Sequence, residues 1–183
     1  MENNMSGKGK GSEWERKVCK FLSKWIQGTE NPYLFWRQPA SGGIATISQE
    51  NAENLSGDIR SISPLSEDFC NKFCIECKSG YKSTSFDKHF KYNISDPLKS
   101  FWVQVSNDAE KSNKKQMLIY KKKGLPTPWI GIDTEIYSKL NPHFKGLRFI
   151  HIGWGMEKLE DIWFFEMNEF FDRVTPENIK ELK

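Results

Sequence analysis

Phe69-Cys70-Asn71-Lys72-Phe73-Cys74-Ile75-Glu76-Cys77-Lys78 is the stretch on which the fold turns. Its alternation puts Phe73, Ile75 and Cys77 on one face of a strand and Cys74, Glu76 and Lys78 on the other. Upstream, Gly57-Asp58 opens a shorter alternating run (Ile59, Ile62), and Pro64, Ser66, Glu67 and Asp68 form a turn-rich segment between the two. An antiparallel hairpin centred near Glu67 would make Asp58 and Glu76 cross-strand neighbours, with Cβ atoms roughly 5 Å apart. Two carboxylates that close repel unless a cation sits between them, and hard divalent ions prefer such oxygens. Lys78 shares that face. A metal between two carboxylates with an ammonium alongside suits phosphodiester hydrolysis, although an isolated E-x-K tripeptide equally suits a solvated strand face.

At 183 residues, with 37% hydrophobic and 14% aromatic content, the chain has material for one well-filled domain. No apolar run approaches the ~20 residues of a membrane span. Met1 to Ser12 is polar, rich in Gly and Lys, and followed by no hydrophobic segment, so a secretory signal is not expected and an intracellular setting is. The net charge of +3 is small but uneven. Residues 71–123 carry twelve Lys against five acids, residues 1–28 six basic against three acidic, and residues 124–183 seven against ten. Such segregation suits a polyanionic partner contacted by the basic parts.

Cys70, Cys74 and Cys77 are spaced C-x₃-C-x₂-C, which resembles the cluster-binding loop of radical SAM enzymes. A strand, however, sends Cys74 and Cys77 to opposite faces, and the chain is short for the barrel those enzymes use. With Cys19, all four read as reduced thiols, mostly in the core.

Along the chain, residues 1–11 are expected to be a mobile basic arm and residues 12–183 a single domain. Ser12-x-x-Glu15 has the form of a capping box opening a helix with Trp14, Val18, Phe21, Leu22, Trp25 and Ile26 on its buried stripe, ended by Gly28. Tyr33 to Gln38 reads as a strand, and residues 44–56 as a long loop. Pro97 to Lys111 reads as a helix burying Leu98, Phe101, Trp102, Val105 and Ala109. Strands are expected at Met117–Lys121, Trp129–Ile132, Leu147–Ile152 and Ile162–Glu166. A helix begins near Asn168, and Thr175-Pro176-Glu177 starts another with proline at its favoured first position. This order predicts an α/β fold with a mixed central sheet flanked by helices.

Four elements in order, Lys10-Gly11-Ser12-Glu13-Trp14-Glu15-Arg16, Arg37-Gln38-Pro39-Ala40-Ser41-Gly42, Gly57-Asp58 and Ile75-Glu76-Cys77-Lys78, resemble the archaeal-type Holliday-junction resolvases of the PD-(D/E)XK nuclease superfamily. The likeness covers roughly residues 8–80 and continues more weakly through the helix bearing Gln104. It implies a restriction-endonuclease-like fold and a dimeric endonuclease that acts on branched DNA with Mg²⁺, Mn²⁺ substituting. Asp58, Glu76 and the Cys77 backbone carbonyl would hold the metal, with Glu15 a further carboxylate of the site. Lys78 would be the catalytic lysine, and Ser41 and Gln104 polar site residues. Lys8, Lys10, Arg16 and Arg37 would contact DNA phosphates.

The stretch between Gly42 and Gly57 is long for compact resolvases, and some forty to fifty C-terminal residues exceed a minimal nuclease core. Substrate choice therefore stays open between junctions, flaps, duplex ends and foreign DNA. A DNA-binding module with a decayed site is a further alternative. The C-terminal aromatics (Trp154, Trp163, Phe164, Phe165, Phe170, Phe171) suit a core or dimer interface better than a docking surface.

Overall fold

The structure is a computed structural model that describes residues 7–38, 56–82, 84, 97–154 and 159–182. A long helix, α1 (Gly7–Gln27), leads into β1 (Phe35–Arg37) and β2 (Ile59–Ser61), which pair antiparallel. Helix α2 (Pro64–Lys72) runs directly into β3 (Phe73–Ser79), followed by α3 (Pro97–Lys111) and β4 (Lys115–Lys121). Then come β5 (Trp129–Asp133), α4 (Thr134–Leu140) with a 3₁₀ turn (Asn141–Phe144), β6 (Phe149–Ile152), β7 (Ile162–Glu166), α5 (Met167–Arg173) and α6 (Pro176–Lys180). The main sheet has the order β3-β4-β5-β7-β6, with β3 and β4 parallel and the other pairs antiparallel. A mixed sheet flanked by helices is what the sequence led one to expect, and the arrangement is restriction-endonuclease-like. Among the described residues no helix is long and apolar enough to cross a membrane.

The alternation of β3 divides the core as its sequence requires. Phe73, Ile75 and Cys77 join the cluster beneath α1, with Trp14, Val18 and Leu22, whereas Cys74 packs with Phe101, Trp102 and Val105 of α3. A parallel β3–β4 pair needs a crossover long enough to carry a helix, and α3 is part of it. Trp102 is fully buried there, with its indole N–H donating to the Glu160 carbonyl at 2.7 Å. The C-terminal aromatics are mostly core: Phe164, Phe165, Phe170 and Phe171 are all buried.

Two local expectations are corrected. The segment between Asp58 and Glu76 is not a hairpin turn but α2. Ser63 accepts from the Leu65 N–H as N-cap, Pro64 sits at the first helical position, and Glu67 lies in the first turn. Residues 69–72 are therefore helical, and the strand begins only at Phe73. Likewise Ser12 and Glu15 form no capping box, because α1 begins at Gly7, inside the stretch expected to be a mobile arm. Both side chains instead meet Arg37 of β1, whose guanidinium donates to Ser12 Oγ at 3.3 Å and lies 3.5 Å from Glu15 Oε2. Ser41 and most of the loop expected over 44–56 lie outside the described residues.

The free edge of β3 is met by the segment just before β2. The Asp58 N–H donates to the Ile75 carbonyl at 2.7 Å. Gly57 makes that approach possible: its φ is +80°, and a Cβ there would lie 2.9 Å from both the Ile75 nitrogen and the Ile75 oxygen. Gly57→Ala combines left-handed strain with a backbone clash that no rotamer relieves. It is expected to destabilise the protein by roughly 2–4 kcal/mol, read as a lower denaturation midpoint at unchanged slope.

Candidate active site

Asp58 is buried, and its carboxylate is fixed from the strand it faces: Oδ2 accepts the Cys77 N–H at 2.8 Å. In a strand, a residue's N–H and C=O leave on the same side. The Cys77 carbonyl therefore also faces the free edge, beside Asp58. Thus Asp58 is a neighbour of the E-x-K strand as expected, but through an edge approach rather than a hairpin ladder.

Glu76 and Lys78 project from the α3 face of β3. Glu76 is only 3% exposed, and its Oε1 is held by two donors, the Lys78 ammonium and the Gln104 carboxamide at 3.0 Å. The Lys78 ammonium lies over the Phe101 ring, 5.5 Å from its centre. Gln104 is otherwise exposed on α3, so its reach to Glu76 is the one buried-side contact it makes among those resolved. Glu15 stands on the α1 side, partly buried and paired with Arg37. Arg37 thus faces Glu15 rather than solvent, whereas Arg16 is exposed. Lys8 and Lys10 fall on the first turns of α1.

The electrostatics show three carboxylates sharing too little positive charge. Burial, and next the charge of Asp58, raise Glu76 to about 7, even though Lys78 opposes the shift. Burial and then Asp58 also raise Glu15, against Arg37 and Arg16. Burial alone would lower Lys78, but Glu76 and Asp58 outweigh it, so the ammonium stays firmly charged. Proton affinity that high in carboxylates marks a place where added positive charge would be welcome.

That shift has a stability consequence. Glu76 holds its proton in the folded protein up to about pH 7, but only up to about 4.5 when unfolded. Between those values the native state binds more protons, so stability falls as pH rises. Metal-free protein is expected to lose roughly 2–3 kcal/mol across this window relative to Glu76→Gln. Thermal melts of both proteins at a series of pH values check it.

Among the described residues no group of three or more His, Cys, Asp or Glu side chains is arranged to hold a metal. A cation here would rest on Asp58, Glu76, the Cys77 carbonyl and water. Two carboxylates, a backbone oxygen and retained water suit Mg²⁺, which seldom relies on an all-protein cage. The thiols do not compete: all four cysteines are free and buried, and burial pushes Cys19, Cys70 and Cys74 up to about 12 and holds Cys77 well above the usual thiol range. A cleft of about 510 Å³ beside β2, lined by Ser56, Arg60, Asn71 and Lys114 among others, includes none of Glu15, Asp58, Glu76 or Lys78 and is separate from this site.

One residue of this neighbourhood was given no role by sequence reasoning, although it lies in the Arg37–Gly42 motif. Gln38 is 5% exposed, its N–H donates to the Asp58 carbonyl at 2.7 Å, and its side-chain oxygen has no hydrogen-bond partner among the described residues. Only the pairing of β1 with β2 brings it beside Asp58.

A search of curated proteins and a search of solved structures each found no match. The family model described as "Phage putative PDDEXK endonuclease" matches residues 6–181, nearly the whole chain. The chain therefore belongs to that family, within the PD-(D/E)XK superfamily.

Proposed function

We propose that the protein is a Mg²⁺-dependent DNA endonuclease whose finer selectivity is for branched DNA, nicked by hydrolysis of a phosphodiester. The observation that carries the reading is the bond from the Cys77 N–H to Asp58 Oδ2, which sets Asp58 against the strand bearing Glu76 and Lys78. Asp58, Glu76 and the Cys77 carbonyl would hold the cation. Bound there, it would supply Lewis-acid polarisation of a phosphate oxygen and a water of lowered pKa. Gln104 and Lys78 hold Glu76 Oε1 in one orientation, so that carboxylate is preset. Lys78 keeps its charge and can face the anionic phosphate as negative charge builds on it. Glu15, held by Arg37, would hold a second metal or orient its water shell.

The finer reading rests on the likeness of Arg37-Gln38-Pro39-Ala40-Ser41-Gly42 and its companion motifs to junction resolvases, with Ser41 as a polar contact. Lys8, Lys10 and Arg16 would grip phosphates without reading bases. Two equivalent sites in a homodimer would cut across a symmetric junction. The description of the family points to DNA in a host cytoplasm as the substrate.

A panel of four-way junction, flap, nicked and linear DNA, each with Mg²⁺ and with EDTA, tests the proposal. Metal-stimulated cleavage strongest on the junction is expected. Equal cutting of linear duplex by a strictly monomeric protein would leave a general nuclease. Absence of metal-stimulated cleavage on every substrate would leave a DNA-binding module.

A further inference from the structure

Among the described residues, the buried side-chain oxygen of Gln38 has nothing to accept. β1 and β2 pair Trp36 with Arg60 and Arg37 with Ile59, and the bond from the Gln38 N–H to the Asp58 carbonyl at 2.7 Å continues that register by one step. Residues directly opposite on an antiparallel pair project to one face, their Cβ atoms roughly 5 Å apart. The side chains of Gln38 and Asp58 are therefore face-mates. Gln38 is more than nine-tenths buried, and its Oε1 has no partner. An unsatisfied buried acceptor is costly. Such an atom calls for a specific donor, and its face-mate Asp58 belongs to the candidate cation site.

We infer that Gln38 is a positioning residue of the metal site, its side-chain oxygen accepting a hydrogen bond from a water held by the divalent cation at Asp58. This rests on the metal-dependent reading above and extends it to a neutral oxygen of the Arg37–Gly42 motif to which no role was given. Mg²⁺ retains several of its waters on binding, and those waters are strong donors. A neutral acceptor suits the place: a fourth carboxylate would add to the repulsion already present among Glu15, Asp58 and Glu76. The amide completes the water's orientation without that repulsion, as outer partners of metal ligands commonly do.

The test uses full-length protein, titrated with Mg²⁺ by calorimetry and melted with and without the metal. Gln38→Leu removes the acceptor and fills the space. Its metal-free melting temperature is expected to equal or exceed wild type, because an unsatisfied polar atom is gone. Its Mg²⁺ affinity is expected to fall about 10–100-fold, with a matching loss of the melting shift that saturating metal produces. Gln38→Glu keeps an acceptor and is expected to bind Mg²⁺ within a few-fold of wild type or more tightly. Gln38→Leu that binds Mg²⁺ like wild type, or that loses the same stability with and without metal, would overturn the inference. The two readings can fail separately. Wild-type binding that is lost in Asp58→Asn but intact in Gln38→Leu removes this inference alone, whereas wild type without measurable Mg²⁺ binding removes the metal site and this inference together.

Discussion

Asp58→Asn is expected to leave DNA bound and uncut. The substitution conserves shape, and an amide oxygen can still accept the Cys77 N–H that holds the side chain against β3. What disappears is one of the two charges that would fix a divalent cation. Cleavage at saturating DNA should fall by on the order of 10³-fold or more, the scale seen when one preorganised charge-stabilising group is removed from a reacting centre. Binding should hold or tighten, since a carboxylate beside the scissile phosphate repels it. Glu76→Gln should show the same separation, together with the added stability above neutral pH argued for it in the metal-free protein. Single-turnover cleavage and gel-shift affinity, measured on one DNA, separate the two effects. Cleavage by Asp58→Asn within tenfold of wild type would remove Asp58 from the chemistry.

The sequence made the site more legible than the path that builds it. The alternation of Phe73 to Lys78 separated Cys77 from Glu76 correctly, because a strand with period two leaves no other choice. The proximity of Asp58 to that strand was also foreseen, but for the wrong geometric reason. Phe69, Cys70 and Phe73 fit a helix as well as a strand over so short an apolar run. The deciding signal was Ser63-Pro64 with Glu67 following, a helix start that reads as a turn when proline and serine are taken only as breakers. The antiparallel pairing that the hairpin assumed gives way to a parallel β3–β4 pair, and Asp58 arrives along the free edge.

Elsewhere, segments with a clear apolar period were easy to read, and short helices were not. Pro97–Lys111 and Ile162–Glu166 have the expected bounds. Thr134–Leu140 was missed, although Asp133 caps it by accepting the Ile136 N–H at 2.7 Å. Ser12 and Glu15 show the converse error. Their spacing is that of a capping box, but a tertiary partner, Arg37, takes both side chains while the helix extends back to Gly7. Gln38 was quoted within the Arg37–Gly42 motif, but its place beside Asp58 was not legible. Its meaning depends on strand pairing between residues about twenty apart, and no local pattern encodes that.

Lys78→Met should slow cleavage by roughly 10²–10³-fold, and its dependence on Mg²⁺ concentration decides what the lysine does. Lys78 has two anionic neighbours to serve, Glu76 in the free protein and the phosphate in the complex. Methionine keeps most of the stem, so the fold should survive the change. If the ammonium only holds Glu76 ionised, its loss weakens metal binding, because Glu76 then keeps its proton to still higher pH. Saturating Mg²⁺ or higher pH would then restore the rate. If the ammonium acts on the phosphate, the loss persists at saturating metal, since no amount of Mg²⁺ supplies a second positive charge at that place. The second outcome is expected. Lys78 stays firmly protonated despite burial, so it presents a fixed charge rather than a proton to exchange. An Arg replacement should recover only part of the rate, because a planar guanidinium cannot occupy the position of a compact ammonium. Full recovery of Lys78→Met by Mg²⁺ alone would reassign the residue from the transition state to the upkeep of Glu76.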